Sequence, residues 1–144
     1  GTASSAATIP VTLAQTKKNG VSDEVSSFVI PLCATIHLSG STLKIVSCAL
    51  TLILMTGGTH DIGLFTEFIL MLGITMIAAP GVPGGAIMAA LAILSSILGF
   101  DEMQLSLMIS LYIAMDSFGT ACNVTGDGAI AVVVDTFTAR NRKE

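Results

Sequence analysis

Charge is what this sequence has least of. Of its 144 residues only 11% are Asp, Glu, Lys or Arg, against 52% hydrophobic, and the mean hydropathy is +0.84. A soluble domain carries about 25% charged residues. So sparse a set cannot cover a water-facing surface, which excludes an ordinary soluble enzyme and a disordered segment. The lack of a basic patch excludes a nucleic-acid binder. The start lacks an initiator Met, a basic n-region and an apolar leader: Gly1-Thr2-Ala3-Ser4-Ser5 leads directly to Pro10. It reads as a chain that begins inside something larger. The three cysteines, Cys33, Cys48 and Cys122, have neither metal-ligand nor disulfide spacing, and small buried core residues are the simplest reading of them. No HExxH is present, so a zinc protease has no ligands. A GxGD aspartyl protease is not supported either, because Val124 stands where the first Gly should be and Asp116 and Asp127 share one helix. No Ser/His pair has local support.

What is present is long apolar sequence with a few well-placed charges. Between Glu24 and Asp61 the one charged residue is Lys44, between Glu67 and Asp101 there is none, and between Glu102 and Asp135 there are only Asp116 and Asp127. A membrane-spanning helix needs ~20 apolar residues, and the runs Val25 to Met55 and Met103 to Phe137 are long enough. The first seventeen residues read as a loop tip followed by a short helix, Val11 to Lys18, ended by Gly20. Ser22 is a candidate N-cap, with Asp23 and Glu24 in the first turn. The helix it starts is interrupted by the polar, glycine-containing His37-Leu38-Ser39-Gly40-Ser41 at mid-depth. Loosened backbone there is tolerated only where protein or a wet cavity surrounds it. After the turn 56–61 come two apolar arms, Leu64 to Ala78 and Ala86 to Leu98. They are joined by the Pro/Gly segment 79–85 and are too short to cross ~30 Å of hydrocarbon. A re-entrant hairpin fits them. Asp101 and Glu102 then cap a last helix reaching about Thr138.

The basic residues orient this layout. Lys17 and Lys18 precede the first span, Arg140, Arg142 and Lys143 follow the last, and the loops 56–63 and 100–102 have none. By the positive-inside rule both basic clusters are cytoplasmic and both bare loops are outside. A weak internal echo, His37-Leu38-Ser39-Gly40 against Asn123-Val124-Thr125-Gly126, repeats the order tip, helix, polar break. Inverted repeats with broken helices at mid-membrane are a common plan of secondary transporters.

Asp116, Thr120, Asn123 and Asp127 are spaced 4, 3 and 4, which places them on one helix face. An Asp at the centre of a spanning helix costs ~2.5–3.5 kcal/mol on insertion scales. The stripe therefore reads as a site for cations, an ammonium group or a hard ion with oxygen ligands. A structural polar seam between helices and a pore lining are the alternatives. Two readings stand for Lys44, pairing or snorkelling versus tuning a cation site. Two also stand for His37, a hydrogen-bonded core residue versus a proton-sensitive group. His60 lies in a loop, with no role assigned.

On these residues the chain resembles the dicarboxylate/amino acid:cation symporter family, the glutamate transporter homologues, over its whole length. It corresponds to the C-terminal third or so of a full member. Ser4-Ser5 and Thr8-Ile9-Pro10-Val11-Thr12 resemble the tip of the first re-entrant hairpin. Cys33-Ala34-Thr35-Ile36-His37-Leu38-Ser39-Gly40-Ser41 resembles the broken seventh helix, usually GATINMDGT. Gly81-Val82-Pro83-Gly84 resembles the second hairpin tip, and Asn123-Val124-Thr125-Gly126-Asp127 the eighth helix.

The resemblance implies an all-α membrane protein, part of an inverted-repeat elevator transport domain. Residues 1–18 would be the second half of the first hairpin, 21–55 a broken spanning helix, 64–98 the second hairpin and extracellular gate, and 102–138 the last spanning helix. The implied substrate-binding residues are Ser5, Ser41, Val82, Asp116, Gly119, Thr120 and Asn123, with Asp116 on the amino group and Asn123 and Thr120 near the α-carboxylate. Asp127 with carbonyls of Cys33, His37 and Asn123 would hold one sodium ion. Carbonyls of Thr35, Met76, Ile77 and Ala79 would hold a second. Acidic amino-acid members have Arg where this chain has Gly119, and C4-dicarboxylate members lack an Asp at position 116. The combination here points to a neutral or bulkier amino acid filling the space left by Gly119. His37 and Ser39 replace the usual Asn and Asp, which predicts fewer coupled sodium ions, with a proton or Lys44 supplying the charge balance. Partners implied are the bilayer of a plasma membrane of bacterial inner-membrane type, crossed more than once, and two further copies in a trimer. Six upstream helices would be missing, so the isolated chain is expected not to transport. A non-transporting module or truncated remnant is the alternative.

Overall fold

The computed structural model of the protein describes residues 1–58 and 61–141. His60, Arg142 and Lys143, which enter the sequence reading of loops and orientation, lie outside the described residues. Among the described residues seven helices form in chain order: α1 (Ser5–Lys18), α2 (Asp23–Ile36), α3 (Ser39–Met55), α4 (Ile62–Ala78), α5 (Gly85–Leu98), α6 (Glu102–Ala114) and α7 (Asp116–Asn141).

The caps explain most boundaries. Ser22 accepts from the amide of Val25 and starts α2 with Asp23 and Glu24 in its first turn, as expected from the positive end of the helix dipole. Asp61 caps α4, and Asp101 forms a capping box with Gln104 on α6. Between α2 and α3 the backbone leaves helical geometry at His37 (φ −107°, ψ 89°) and Leu38, so the polar break stands where the sequence put it. Helices α4 and α5, 17 and 14 residues long, fold as a hairpin. Gly84 turns its tip at φ +71°, the left-handed region that favours glycine.

Three boundaries differ from the sequence reading. Helix α1 begins at Ser5, not Val11, with Pro10 inside it. Ser4 caps it, its hydroxyl accepting from the Ala7 amide, and this fixes the start upstream of the proline at the cost of the one bond to the Ala6 carbonyl. The last helix is not continuous, since α6 and α7 part at Met115 (φ −107°, ψ 13°). The Tyr112 carbonyl, which a continuous helix would offer to the amide of residue 116, instead accepts from the Met115 amide and from Lys44 Nζ, both at 3.2 Å. The second break, expected at Asn123–Gly126, does not occur, and these residues lie within uninterrupted helix α7. Gly126 is a packing notch there. A Cβ on it would lie 2.4 Å from Cε1 of His37.

Two apolar clusters hold the helices together. One joins α3, α4, α5 and α6 around Ile45, Phe68, Leu72, Ile87, Leu94 and Met108. The other joins α1, α2 and α7 through Leu13, Val25, Ile30 and Ala131. Many large apolar side chains point away from both, among them Phe28, Leu43, Leu70, Ile74, Phe118 and Phe137. Asp23–Met55 and Asp116–Arg140 are long and apolar enough to cross a membrane, and the three remaining apolar helices are shorter.

Helices α3 and α7 cross at nearly backbone contact. A Cβ on Gly40 would sit 2.5 Å from the Gly119 carbonyl oxygen and 2.6 Å from Cys122 Cβ, and backbone cannot yield as a flexible side chain can. Gly40→Ala in the full-length protein is expected to lower the detergent-solubilised melting temperature by several degrees, as overpacking costs about 1–3 kcal/mol. Gly73→Ala, with nothing within 4 Å of the added atom, is expected to leave it unchanged or slightly raised. Thermal unfolding of the two variants side by side checks this.

Candidate functional site

The polar stripe of α7 faces inward. Asp116, Thr120, Asn123 and Asp127 are all buried, Asp127 completely. They meet Ser4, Ser5, Ser41 and Lys44, the other buried polar residues of the central region, in the seam between the two apolar clusters. Turning the stripe outward would have left two carboxylates in hydrocarbon.

Asn123 is the crosspiece. Its Oδ1 accepts from the amide of Gly40, in the first turn of α3, at 2.8 Å. Its Nδ2 donates to Ser5 Oγ and to Ser41 Oγ, both at 3.3 Å. Tyr112 donates its hydroxyl to Ser41 Oγ at 3.0 Å. One amide thus ties α7 to the starts of α1 and α3, the latter available because the helix breaks at residues 37 and 38 and frees its first amides.

Asp116 is held from two sides. Lys44 Nζ, itself buried, donates to Oδ1 at 3.0 Å. The Gly84 amide at the α4/α5 hairpin tip donates to Oδ2 at 3.0 Å. Lys44 also lies over the Tyr112 ring, 3.4 Å from its centroid. Pairing with a carboxylate, one of the two sequence readings of Lys44, is present. Beside Gly119, where the sequence reading expects a bulky substrate, stands this lysine: a Cβ on Gly119 would lie 3.1 Å from Nζ, and the two residues also line an open apolar groove of about 330 Å³. Gly119 faces Lys44 and not the central cavity, and its lack of a side chain is what admits the ammonium.

Asp127 is the second buried carboxylate. His37 Nδ1 lies 2.8 Å from its Oδ1, so the imidazole, more than the His37 carbonyl of the sequence expectation, is what reaches this residue. Its Oδ2 is buried with no hydrogen-bond partner. A buried carboxylate oxygen without a partner is costly. Cys33 is close by in the fold, buried on α2, although its carbonyl already accepts from the His37 amide at 2.8 Å. Among the described residues no group of three His, Cys, Asp or Glu could hold a metal ion. A cation at Asp127 would therefore take its remaining ligands from main-chain carbonyls, which suits a hard ion.

The residues expected at the second cation site fall on two helix ends. Met76, Ile77 and Ala79 are the C-terminal end of α4, and Thr35 is near the C-terminal end of α2. Such ends present unsatisfied carbonyls and the negative end of the dipole. The Met76 carbonyl is partly engaged by the Ala79 amide at 3.3 Å, and the Thr35 hydroxyl donates back to Leu32 O at 2.8 Å.

The tips of α1 and of the α4/α5 hairpin touch. Ser4 Oγ donates to the Gly81 carbonyl at 2.8 Å, and the Ala6 amide donates to the same oxygen at 3.1 Å. The cavity enclosed between the tips, Ser41, Asp116, Thr120 and Asn123 is about 10 Å³, room for one water at most. Val82 borders it, although half of that residue is exposed. A larger groove of about 400 Å³ between α1 and α7 is lined by no titratable side chain and lies away from this chemistry. Every buried polar group of the seam except Tyr112 and Ser4 was assigned a site role or a pairing from the sequence. Tyr112 acts through Ser41, distant along the chain, and Ser4 caps α1 locally while its hydroxyl also reaches Gly81, a contact no local spacing reveals.

The family model described as "Sodium:dicarboxylate symporter family" matches residues 1–137. Excitatory amino acid transporter 2 of Homo sapiens is 32% identical over 135 residues, 93% of this chain and 23% of that protein. An excitatory amino acid transporter of Caenorhabditis elegans is 31% identical, with 93% and 27% covered. Neutral amino acid transporter B(0) of Rattus norvegicus is 27% identical over 143 residues, 99% of this chain and 26% of that protein. The chain spans about a quarter of the length of the curated relatives it matches. It belongs to the sodium:dicarboxylate symporter family, a family of membrane transporters and not of enzymes.

Proposed function

We propose that the full-length protein carries out cation-coupled symport of a neutral amino acid across a plasma membrane of bacterial inner-membrane type, and that this chain supplies most of its substrate and ion ligands. The observation that carries the substrate class is the charge balance around Asp116. One buried carboxylate meets one buried ammonium, Lys44, at 3.0 Å. A zwitterion adds no net charge to that balance. An acidic amino acid adds a second carboxylate, and among the described residues lining the cavity beside Asp116 none carries a positive charge to meet it, which is unfavourable for a buried charge.

Asp116 is the ligand for the substrate's amino group, with Ser5, Ser41, Thr120 and Asn123 donating to its carboxylate and Val82 and Gly84 closing over it from the tip. Sodium binds at Asp127, whose free Oδ2 supports this assignment, and a second ion binds among the carbonyls of Thr35, Met76, Ile77 and Ala79. The ion at Asp127 would screen that carboxylate, and main-chain oxygens supply the rest of its shell whatever the side chains are. With His37 and Ser39 in the break, a third ion is absent from the coupling. The α4/α5 hairpin is a re-entrant gate: its arms of 17 and 14 residues measure about 25 and 21 Å at 1.5 Å per residue, short of a full crossing. The unit moves as part of an elevator in a trimer whose remaining helices come from outside this chain.

Reconstituted full-length protein is expected to take up L-alanine or L-serine at a rate about tenfold or more above L-aspartate, tenfold being about 1.4 kcal/mol. Uptake strong for aspartate and weak for the neutral amino acids would overturn the assignment. Asp127→Asn is expected to raise the sodium concentration for half-maximal binding by about tenfold or more, because a neutral amide is a far weaker ligand for a hard cation. A sodium titration of L-alanine binding measures it. Flux ratios should give fewer than three sodium ions per substrate.

A further inference from the structure

We propose that Lys44 is a tethered ammonium that occupies the amine position on Asp116 when no substrate is bound, so that an amine-bearing ligand must displace it. It is thereby a specificity- and affinity-setting residue of the site. The inference rests on the reading above that Asp116 receives the substrate's amino group.

Four observations carry it. First, Lys44 Nζ lies at ordinary charge-assisted hydrogen-bond distance from Oδ1, 3.0 Å, which is where a ligand ammonium would have to bind. Second, the other carboxylate oxygen, Oδ2, is taken by the Gly84 amide of the hairpin tip, and the remaining cavity of about 10 Å³ cannot admit an amino acid. Each oxygen of the carboxylate thus already accepts one bond in this closed arrangement. Third, the lysine is seated by features that do not depend on Asp116. Its Nζ also donates to the Tyr112 carbonyl at 3.2 Å and stacks on the Tyr112 ring. It fills the notch at Gly119, where any Cβ would lie 3.1 Å from it. Fourth, those partners make the pair separable. When a ligand ammonium takes Oδ1, Lys44 keeps two of its three contacts, and Asp116 exchanges one ammonium for another. Asp116 keeps a cation, and Lys44 keeps a carbonyl and a ring face as polar partners; the ion pairing it gives up is the cost the ligand must meet.

A tethered competitor lowers apparent affinity by the fraction of time it leaves the site free. It also keeps the tip closed, because a buried Asp116 without a counter-ion would draw in water, and the Gly84 amide lies over that carboxylate.

The test uses the full-length protein in a cysteine-free background carrying Ala86→Cys, a buried position bordering the cavity. Labelling by a maleimide then reports tip opening without any transport. Lys44→Ala is expected to speed labelling of the ligand-free protein about tenfold, and ethylammonium, which can refill the vacated space, to slow it again. Lys44→Ala/Asp116→Asn, with neither charge, should not respond to ethylammonium. L-Alanine should protect the introduced thiol in Lys44→Ala at a concentration about tenfold below that needed in the parent, the signature of a lost competitor. Lys44→Gln, uncharged but of similar length, should repeat the faster labelling and serves if the alanine variant does not fold. Labelling unchanged in both Lys44 variants, or an unchanged half-protecting concentration of L-alanine, would overturn the proposal. If ethylammonium slows labelling only where Asp116 is intact, yet no amino acid protects any variant, Lys44 stands as the tethered ammonium and the assignment of Asp116 to the substrate's amino group fails.

Discussion

A carboxylate cannot be left alone inside an assembly of apolar helices, and most of the architecture follows from satisfying two of them. Asp116 and Asp127 sit on one face of α7, eleven residues apart in the chain, and both are buried. Their basic partners come from the broken span: Lys44 from α3, and His37 from the break itself. An uninterrupted span would place its first-turn amides inside its own helical ladder. The break releases the Gly40 amide to Asn123 and turns the His37 ring onto Asp127. The interruption at Met115 has the same origin, for the Tyr112 carbonyl is diverted to Lys44.

These pairs are compatible with close packing because glycine stands wherever a side chain would block them. Gly126 admits the His37 ring, Gly119 admits the Lys44 ammonium, and Gly40 admits the backbone of α7. Each is a space requirement set by a residue far away in sequence. The buried polar groups are consequently almost fully satisfied. The one orphan among the described residues, Asp127 Oδ2, stands out against that background, since an interior that pairs nearly everything leaves few oxygens open by accident.

The closed tips obey a related constraint. Ser4, the Ala6 amide and Gly81 tie one tip to the other, and the Gly84 amide ties the second tip to Asp116. Nearly all of these contacts involve main chain. Closure is thus insensitive to most side chains at the tips, while the sign and number of charges beneath them depend on Lys44 and Asp116 alone. The relatives include both excitatory and neutral amino acid transporters.

Much of this was legible in the linear chain. Apolar run length, the sparse charges and the caps Ser22 and Asp101 marked the helices, because each is a local signal read within one turn. The 4, 3, 4 spacing on α7 aligned Asp116, Thr120, Asn123 and Asp127, because helical periodicity is a property of the sequence itself. The tertiary structure alone decided which way that face turned, that Lys44 meets Asp116 and His37 meets Asp127, that α1 starts ahead of Pro10, and that the final break falls at Met115 and not at Asn123–Gly126. Those outcomes depend on partners distant along the chain, and for α1 on a serine cap whose hydroxyl also docks on Gly81. A glycine reads identically as a breaker or as a notch until the side chain that fills the notch is in place.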